Sequence, residues 1–540
     1  MNIVQSPFLD SSILRRWTYW FRFLPFSAAW AAVLVGSLLA FLNFHEYPLG
    51  RSEVVSLALS LVVVAAFLGP IHANAARLMP IMDAALVYIA LDLNFDPPYP
   101  WIGAAAVVIV SWLARRSIAP VVGVIFTFVA GGQVLSGAQA SDAPDKPPEF
   151  SAAAMAGRPA IVHIILDEHI GIEGIDRRDI VMRRAADGLR TEYLDMGFTL
   201  YGGAHARHFY TTNSLPEMLN FGESELGGDS RRNLEKKIDE NQYFHEISDQ
   251  GYEVEVWQSD FLDYCDHEAV ASCDVYRRSD LAPLAQLNIS DADKVRILGS
   301  GFVSLSGGLT TLSHLYDYLA VKANRAGFAL PYANIDSVRL TSTLAAMNSA
   351  RDFKHRLRSV KPGHLYFAHF LFPHYPYIAN KDCSIRPLSG WRYRRDRGDM
   401  RSRNHAYVLQ AQCAARMVRG FLKALSGSSA GRNAVVIMHG DHGSRITRDD
   451  PKIRNIGRIS RRDMIAGYST LFGIRMPGSP ARYEPRMAAT SGLLKQFVER
   501  DLRSVPDLSR GVAGTNSVYL ADDEWRPVRT YPLKKPGSSL

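Results

Sequence analysis

The chain has 540 residues, 47% of them hydrophobic, with 61 Lys and Arg against 53 Asp and Glu for a formal charge of +8. Its length corresponds to roughly three to four domain equivalents, which excludes a single small domain, and its apolar content excludes a disordered chain. The basic excess is diffuse and accompanies no zinc-finger, RNP or helix-turn-helix spacing, so nucleic acid is not an expected partner.

Charge is divided unevenly along the chain. Residues 1–136 hold only 7 of the 61 basic and 6 of the 53 acidic side chains. This block offers five apolar segments, about 24–44, 54–71, 78–94, 99–114 and 117–136, each approaching the roughly 20 residues a bilayer span needs. Asp83 lies inside the third, where a carboxylate needs a partner or a cavity, and helix packing is preferred over a proton relay as its role. Arg15, Arg16 and Arg22 precede the first segment, Arg77 follows the second, and Arg115 with Arg116 follow the fourth. Since cytoplasmic loops retain positive charge, five spans place the N-terminus inside and everything after residue 136 outside. The expectation is therefore a transmembrane domain at 1–136, without a cleavable signal peptide.

Residues 137–152, rich in Ala, Pro and Asp, read as a linker. Beyond it the apolar runs PAIVHIIL, YEVEVW, GHLYFAHFLF, NAVVIM and STLFGIRM alternate with helical stretches at 176–196, 334–359 and 404–426. That alternation predicts an α/β catalytic domain at 153–510 with a mainly parallel, buried sheet, followed by an extended surface tail at 511–540. All four cysteines fall in this exported part. Cys265 and Cys273 bracket a short loop, which leaves Cys383 and Cys413 to pair, so two disulfides are expected.

The ends of the strands carry the chemistry. PAIVHIIL runs into Asp167-Glu168-His169, GHLYFAHFLF into Pro373-His374, and NAVVIM into His439-Gly440-Asp441-His442-Gly443. Ligands of open α/β sheets bind at such carboxyl ends. Asp167, Asp441 and His442 make an oxygen and nitrogen donor set suited to a divalent metal, Zn first, with Mn, Mg and Ca compatible. In HFYTTNSLPEMLNFG, Thr211, Thr212 and Ser214 precede Pro216 at a helix start. A hydroxyl there is either an N-cap or, beside a metal, a nucleophile toward an ester phosphorus. Between Arg386 and Arg403 lie seven arginines, a candidate anion or lipid contact weighed equally against a solvated basic loop.

IVHIILDE, TTNSLPEM, FPHYPY, IMHGDHG and LFGIRMPG, in this order, resemble the alkaline phosphatase superfamily, in particular its membrane-anchored sulfatase-like branch of lipid A phosphoethanolamine transferases and lipoteichoic acid synthases. The resemblance covers about 155–500. It implies a metal held by Asp167, Thr211, Asp441 and His442, with Thr211 as the nucleophile and His374 contacting the transferred phosphate. Thr212 or Ser214 takes the nucleophile's place if the register differs. It further implies a bacterial inner-membrane, multi-pass transferase with a periplasmic catalytic domain. Such an enzyme moves phosphoethanolamine or phosphoglycerol from a membrane lipid donor to an envelope glycan or lipid acceptor through a phosphothreonine. A hydrolase of phosphate or sulfate esters and an inactive envelope scaffold are the alternatives. Met218 and the lack of a cysteine at 214 depart from the formylglycine sulfatase pattern, and Ala466 stands near the expected place of a second active-site histidine.

Overall fold

The structure, a computed structural model, describes residues 23–74, 78–95, 100–114, 117–136, 158–222, 238, 240–305, 337–392, 399–510, 516–522 and 526–533. The linker at 137–152 and the arginines that set the expected orientation, Arg15, Arg16, Arg22, Arg77, Arg115 and Arg116, lie outside these residues. The chain forms two compact units, Met1–Lys146 with Ser279–Thr341, and Pro147–Arg278 with Ser342–Leu540.

In the first unit, helices stand at all five apolar segments: α1 (Leu24–Phe44), α2 (Ser52–Asn74), α3 (Met79–Phe95), α4 (Pro100–Ala114) and α5 (Ala119–Ser136). Of these, α1 and α2 are long and apolar enough to cross a membrane. Helix α4, with 15 residues, reaches only about 22 Å against a hydrocarbon core of about 30 Å. Phe67, Trp112 and Phe128 turn large apolar side chains outward.

Asp83 is fully buried and saturated by donors. Ser111 and Ser117 hydroxyls donate to it at 2.8 and 2.6 Å, and the Ile118 N–H at 3.2 Å. Trp30 Nε1–H donates to His72 Nδ1, which leaves the His72 proton on Nε2, 3.1 Å from Asp83 Oδ1. The carboxylate thus joins α1 through α5 and serves packing, as a buried charge with every lone pair occupied must.

The unit also takes in a later piece of chain, Ser279–Thr341, from within the range 153–510. Helix α9, described below by its range Asp291–Leu305, buries Ile297, Leu298 and Phe302, with the Phe302 ring 5.6 Å from that of Phe41. Its Lys294 approaches the buried Glu53 at 3.9 Å, and the Tyr47 hydroxyl donates to Glu53 at 2.5 Å.

The second unit is built on an eight-stranded sheet in the order β4-β3-β5-β1-β6-β7-β2-β8. Its strands are β1 (Ile161–Leu166), β2 (Thr199–His205), β3 (Glu253–Ser259), β4 (Val270–Tyr276), β5 (His364–Phe370), β6 (Val435–His439), β7 (Phe472–Arg475) and β8 (Arg482–Ala489). All pairings are parallel except the two that β7 makes with β6 and β2. The central strands are continuous apolar runs because both faces are covered. Val162 and Ile164 pack into one core with α6 (Ile180–Asp195), α10 (Ser337–Arg356) and α11 (Met400–Leu425). Ile161 and Ile165 pack into the other with α7 (Thr211–Leu219), α8 (Gln242–Asp249) and α13 (Thr490–Val498). Helix α12 (Arg461–Tyr468) closes the same end of the sheet as the loops that follow β1 and β6.

Both expected disulfides are present, Cys265–Cys273 and Cys383–Cys413. The tail differs from a featureless extended segment. Residues Ser517–Ala521 (β9) and Pro527–Pro532 (β10) form an antiparallel hairpin whose first strand buries Val518 and Leu520 against Phe209, Met464 and Tyr468.

Candidate metal and nucleophile site

β1, β5 and β6 lie side by side, in register Ile165–His369 and Ile165–His439, so the residues at their carboxyl ends converge. β1 ends on Asp167, whose N–H donates to Phe370 O. Next, Glu168 takes a left-handed backbone with φ of 64°, an uncommon conformation for a residue with a side chain. Three contacts hold it there: its N–H donates to Asp441 Oδ1 at 2.9 Å, its carbonyl accepts from Tyr407 at 2.6 Å, and its carboxylate meets Arg445 Nε at 2.5 Å. After β6 the backbone packs too closely for side chains. A Cβ on Gly440 would stand 2.4 Å from His169 O, and one on Gly443 2.3 Å from Ala466 O.

The turn between those glycines presents Asp441 and His442. Asp167 Oδ1 is 3.8 Å, and Asp441 Oδ2 3.3 Å, from His442 Nε2. His442 Nδ1 donates to Gly443 O at 2.6 Å, so Nε2 carries the lone pair and faces Thr211 Oγ1 at 3.2 Å. Thr211 opens α7, with Tyr210 preceding it in an extended conformation. Of the three hydroxyls the sequence offered, Thr211 is the one set against His442, whereas the Ser214 hydroxyl is buried within the helix and makes no hydrogen bond among the described residues.

A fifth group belongs to the cluster and was not read from the sequence. His369, the penultimate residue of β5, is fully buried with its Nε2 4.0 Å from Asp167 Oδ2. Ligand atoms of Asp167, His369 and Asp441 all lie within 4.8 Å of one another. The signal was a polar residue inside the otherwise apolar run LYFAHFLF, at a position whose neighbours on both strands end in the same cluster.

These residues fit a divalent metal. Asp167 Oδ1, Asp441 Oδ2 and both His369 ring nitrogens are buried without a hydrogen-bond partner among the described residues. Orphaned buried carboxylate oxygens are costly unless a cation satisfies them. Burial, reinforced by the charges of Asp441 and Glu168, pushes the Asp167 carboxyl well above the ordinary carboxylate range. Burial also pulls His369 down to about 4, which keeps its imidazole neutral and its lone pair available. Two carboxylate oxygens with two imidazole nitrogens suit Zn or Mn.

A second group, Asp167, Glu168 and His374, has comparable spacing. Here the cation is supplied by the chain itself. Arg445 is buried on Glu168, its guanidinium 4.2 Å from the Tyr210 ring centroid and 3.3 Å from His442 Nε2. His374 Nε2 lies 3.5 Å from Glu168 Oε1 and its Nδ1 donates to Tyr375 O. Gln410 of α11 pins its loop by donating to the carbonyls of Pro373, His374 and Pro376.

Beneath the turn, hydrogen-bond bookkeeping fixes the tautomers of a buried chain. His439 Nδ1 donates to Gly440 O at 2.9 Å, so its Nε2 accepts from His163 Nε2 at 2.7 Å. His163 Nδ1 is left to accept from the Tyr243 hydroxyl at 3.0 Å. Beside the turn opens a cavity of about 540 Å³ whose lining includes Arg178, Asn404, Ile446, Arg448, Arg462 and Ala466. The arginine-rich stretch serves structure where it is described: Arg403 is buried and donates to Ile446 O and Thr447 O, and Arg386 donates to Tyr377 O. Arg394, Arg395 and Arg397 lie outside the described residues.

No protein-family model matches the sequence, and no curated protein is significantly similar to it. Solved structures with a similar arrangement do exist. The Zn complex of the C-terminal periplasmic domain of EptC from Escherichia coli is 12% identical, with a TM-score of 0.39, covering 72% of this chain and 97% of that one. Phosphonate monoester hydrolase of Agrobacterium radiobacter is 11% identical, with a TM-score of 0.40, covering 68% and 80%. A protein of the alkaline phosphatase superfamily from Vibrio parahaemolyticus is 11% identical, with a TM-score of 0.38, covering 70% and 79%. Scores below 0.5 leave this a likeness of arrangement, and the chemistry of the site rests on its own residues. Of these three, the Vibrio parahaemolyticus protein is the one described as a member of the alkaline phosphatase superfamily.

Proposed function

We propose that the chain is a membrane-anchored, metal-dependent phosphotransferase that moves a phospholipid-derived headgroup, phosphoethanolamine or phosphoglycerol, onto an envelope glycan or lipid through a phosphothreonine at Thr211. The observation that carries this reading is the Thr211 hydroxyl at a helix start, 3.2 Å from His442 Nε2 and beside a buried, unsatisfied set of carboxylates and imidazoles. An inactive scaffold has no use for such a set, since burying orphaned carboxylates costs stability and confers none. Two helices of spanning length and outward apolar side chains support a membrane lipid as donor, and the reading puts the protein in the bacterial inner membrane with the catalytic unit in the periplasm.

Asp167, Asp441, His369 and His442 would hold the metal. When bound, it supplies Lewis-acid charge and lowers the pKa of an adjacent hydroxyl. The chain's own groups do the rest. Thr211 Oγ forms a bond to phosphorus as its proton passes to solvent, and the phosphorus–oxygen bond to diacylglycerol breaks. His374, part-exposed above Glu168, is placed to protonate that departing alcohol. Arg445, fixed by Glu168, offers a permanent positive charge to the phosphoryl oxygens, and the N–H groups opening α7 add to it. An acceptor hydroxyl then attacks phosphorus as the Thr211 Oγ–phosphorus bond breaks; its proton passes to the His374 imidazole, left deprotonated by the first step, and Thr211 Oγ takes a proton back from solvent.

The test is substrate choice. Purified metal-loaded protein given phosphatidylethanolamine or phosphatidylglycerol vesicles should release diacylglycerol and depend on an added acceptor. Fast turnover of soluble aryl phosphate or sulfate esters with water, and none of lipid, would instead establish the hydrolase.

A further inference from the structure

Helix α7 starts without help from its own cap residue. Tyr210 makes no side-chain cap hydrogen bond, and nothing in the sequence at 211–214 fixes the angle at which the helix presents Thr211. The chain just before it, however, is gripped by the C-terminal hairpin.

The grip centres on Tyr519 in β9. Its N–H donates to Arg207 O at 2.8 Å, its hydroxyl accepts from Arg207 Nη2, and the Arg207 guanidinium lies 4.6 Å from its ring centroid. The same ring stacks on His208, centroids 4.7 Å apart at an interplanar angle of 21°. The Tyr519 carbonyl accepts from the Tyr468 hydroxyl at 2.6 Å, and Tyr468 O in turn accepts from Ala206 N–H at 2.9 Å. Phe209 is buried among Met464, Tyr468, Val518 and Leu520, with Arg445 over its face at 5.1 Å. Arg207 also reaches forward to Glu217 on α7 at 3.2 Å, so one guanidinium ties the hairpin to both the approach and the second turn of the helix.

We propose that the C-terminal hairpin, residues 516–533, is a positioning element for the candidate nucleophile, with Tyr519 and Arg207 as its positioning residues. The proposal rests on Thr211 being the nucleophile. The hairpin lies at the far end of the sequence, outside the eight-stranded sheet, and supplies none of the candidate metal ligands.

The test uses the full chain with Tyr519→Ala and Tyr519→Phe. Hydrogen exchange read by mass spectrometry should rise about tenfold or more across 206–214 in Tyr519→Ala, with 161–166 and 435–439 unchanged and bound Zn still stoichiometric. Turnover of the donor lipid should fall on the order of 10²-fold in kcat with KM nearly constant, since misplacement by about 1 Å is enough for that loss. Tyr519→Phe keeps the stack on His208 and loses only the hydroxyl contact, so it should recover most of both. Unchanged exchange at 206–214, or raised exchange with unchanged kcat, overturns the proposal. If Tyr519→Ala does not fold, Tyr519→Phe and Arg207→Lys carry the same comparison. Turnover that survives Thr211→Ala marks a different failure, that of the nucleophile assignment itself.

Discussion

Thr211 Oγ1 and His442 Nε2 face each other at 3.2 Å, across the gap between a helix start and a strand end that are 231 residues apart in sequence. Replacing Thr211 by Ala removes the proposed attacking oxygen and little else, because the side chain is small and the helix does not depend on it for a cap. Turnover should fall by about 10³-fold or more, with bound metal retained. Thr212→Ala and Ser214→Ala should each stay within about tenfold of the parent.

His369 separates the structural ligand set from the one read in sequence. His369→Ala and Asp167→Asn should each weaken Zn binding by more than about 10²-fold, measured by competition with a chromogenic chelator. A His369→Ala protein that binds Zn like the parent would restrict the ligands to Asp167, Asp441, His442 and Thr211.

Much of this site was legible because apolar strands end abruptly in polar residues. Asp167, Asp441 and His442 announce themselves as the first charged or metal-binding groups after buried runs, and the five strands and three helices expected beyond residue 152 all form. His369 was hidden because it sits inside a run, where periodicity assigns it to a core. Arg445 was hidden because its partner, Glu168, is adjacent only through a left-handed turn that the sequence does not signal. β2, β4 and β8 were missed for the opposite reason: TLYGGAH of β2 is broken by two glycines, and VASCDVY and RYEPRMAA, edge strands with many exposed positions, lack the apolar continuity of the central ones. The hairpin at 517–532 was missed since its contacts are long-range, to Tyr468 51 positions earlier and to Arg207 312 positions earlier.

Acid should destabilise the second unit through its buried histidines. Burial holds His169 at about 4 and His208 at about 3, and pulls His163 well below its ordinary value. A group whose folded pKa is depressed below about 6.5 binds its proton more readily in the unfolded chain, so stability is full above 6.5 and declines as pH falls toward the folded value. At pH 5.5 each of these three costs about 1.4 kcal/mol, or about 4 kcal/mol together. Thermal unfolding of the parent followed between pH 7.5 and 5.5 should show at least this loss, and His208→Gln should reduce it by about 1.4 kcal/mol. A flat profile would mean that these rings are solvated in the folded state.

The two disulfides should contribute unequally. Cys383–Cys413 closes a separation of 30 residues and Cys265–Cys273 one of 8. Chain-entropy arguments give about 3.6 kcal/mol for the longer and about 2.5 kcal/mol for the shorter. Denaturant unfolding of the two Cys→Ser double variants should rank them in that order.

Asp83 accepts from Ser111, Ser117 and Ile118, with His72 Nε2 also against it, so Asp83→Leu leaves four donors without their acceptor. The cost should be about 3 kcal/mol or more in detergent unfolding, with Asp83→Asn milder. Donor-lipid turnover in Asp83→Asn should remain near that of the parent. Loss of turnover without loss of stability would restore a proton-relay role.

The account stands most directly on a covalent adduct. Metal-loaded protein incubated with phosphatidylethanolamine vesicles, without acceptor, should gain the mass of one phosphoethanolamine group. Fragmentation should place that group on Thr211, the Thr211→Ala variant should show none, and added acceptor should discharge it. An adduct mapped to Thr212 or Ser214, or acceptor modification by a protein that never carries one, would contradict the mechanism.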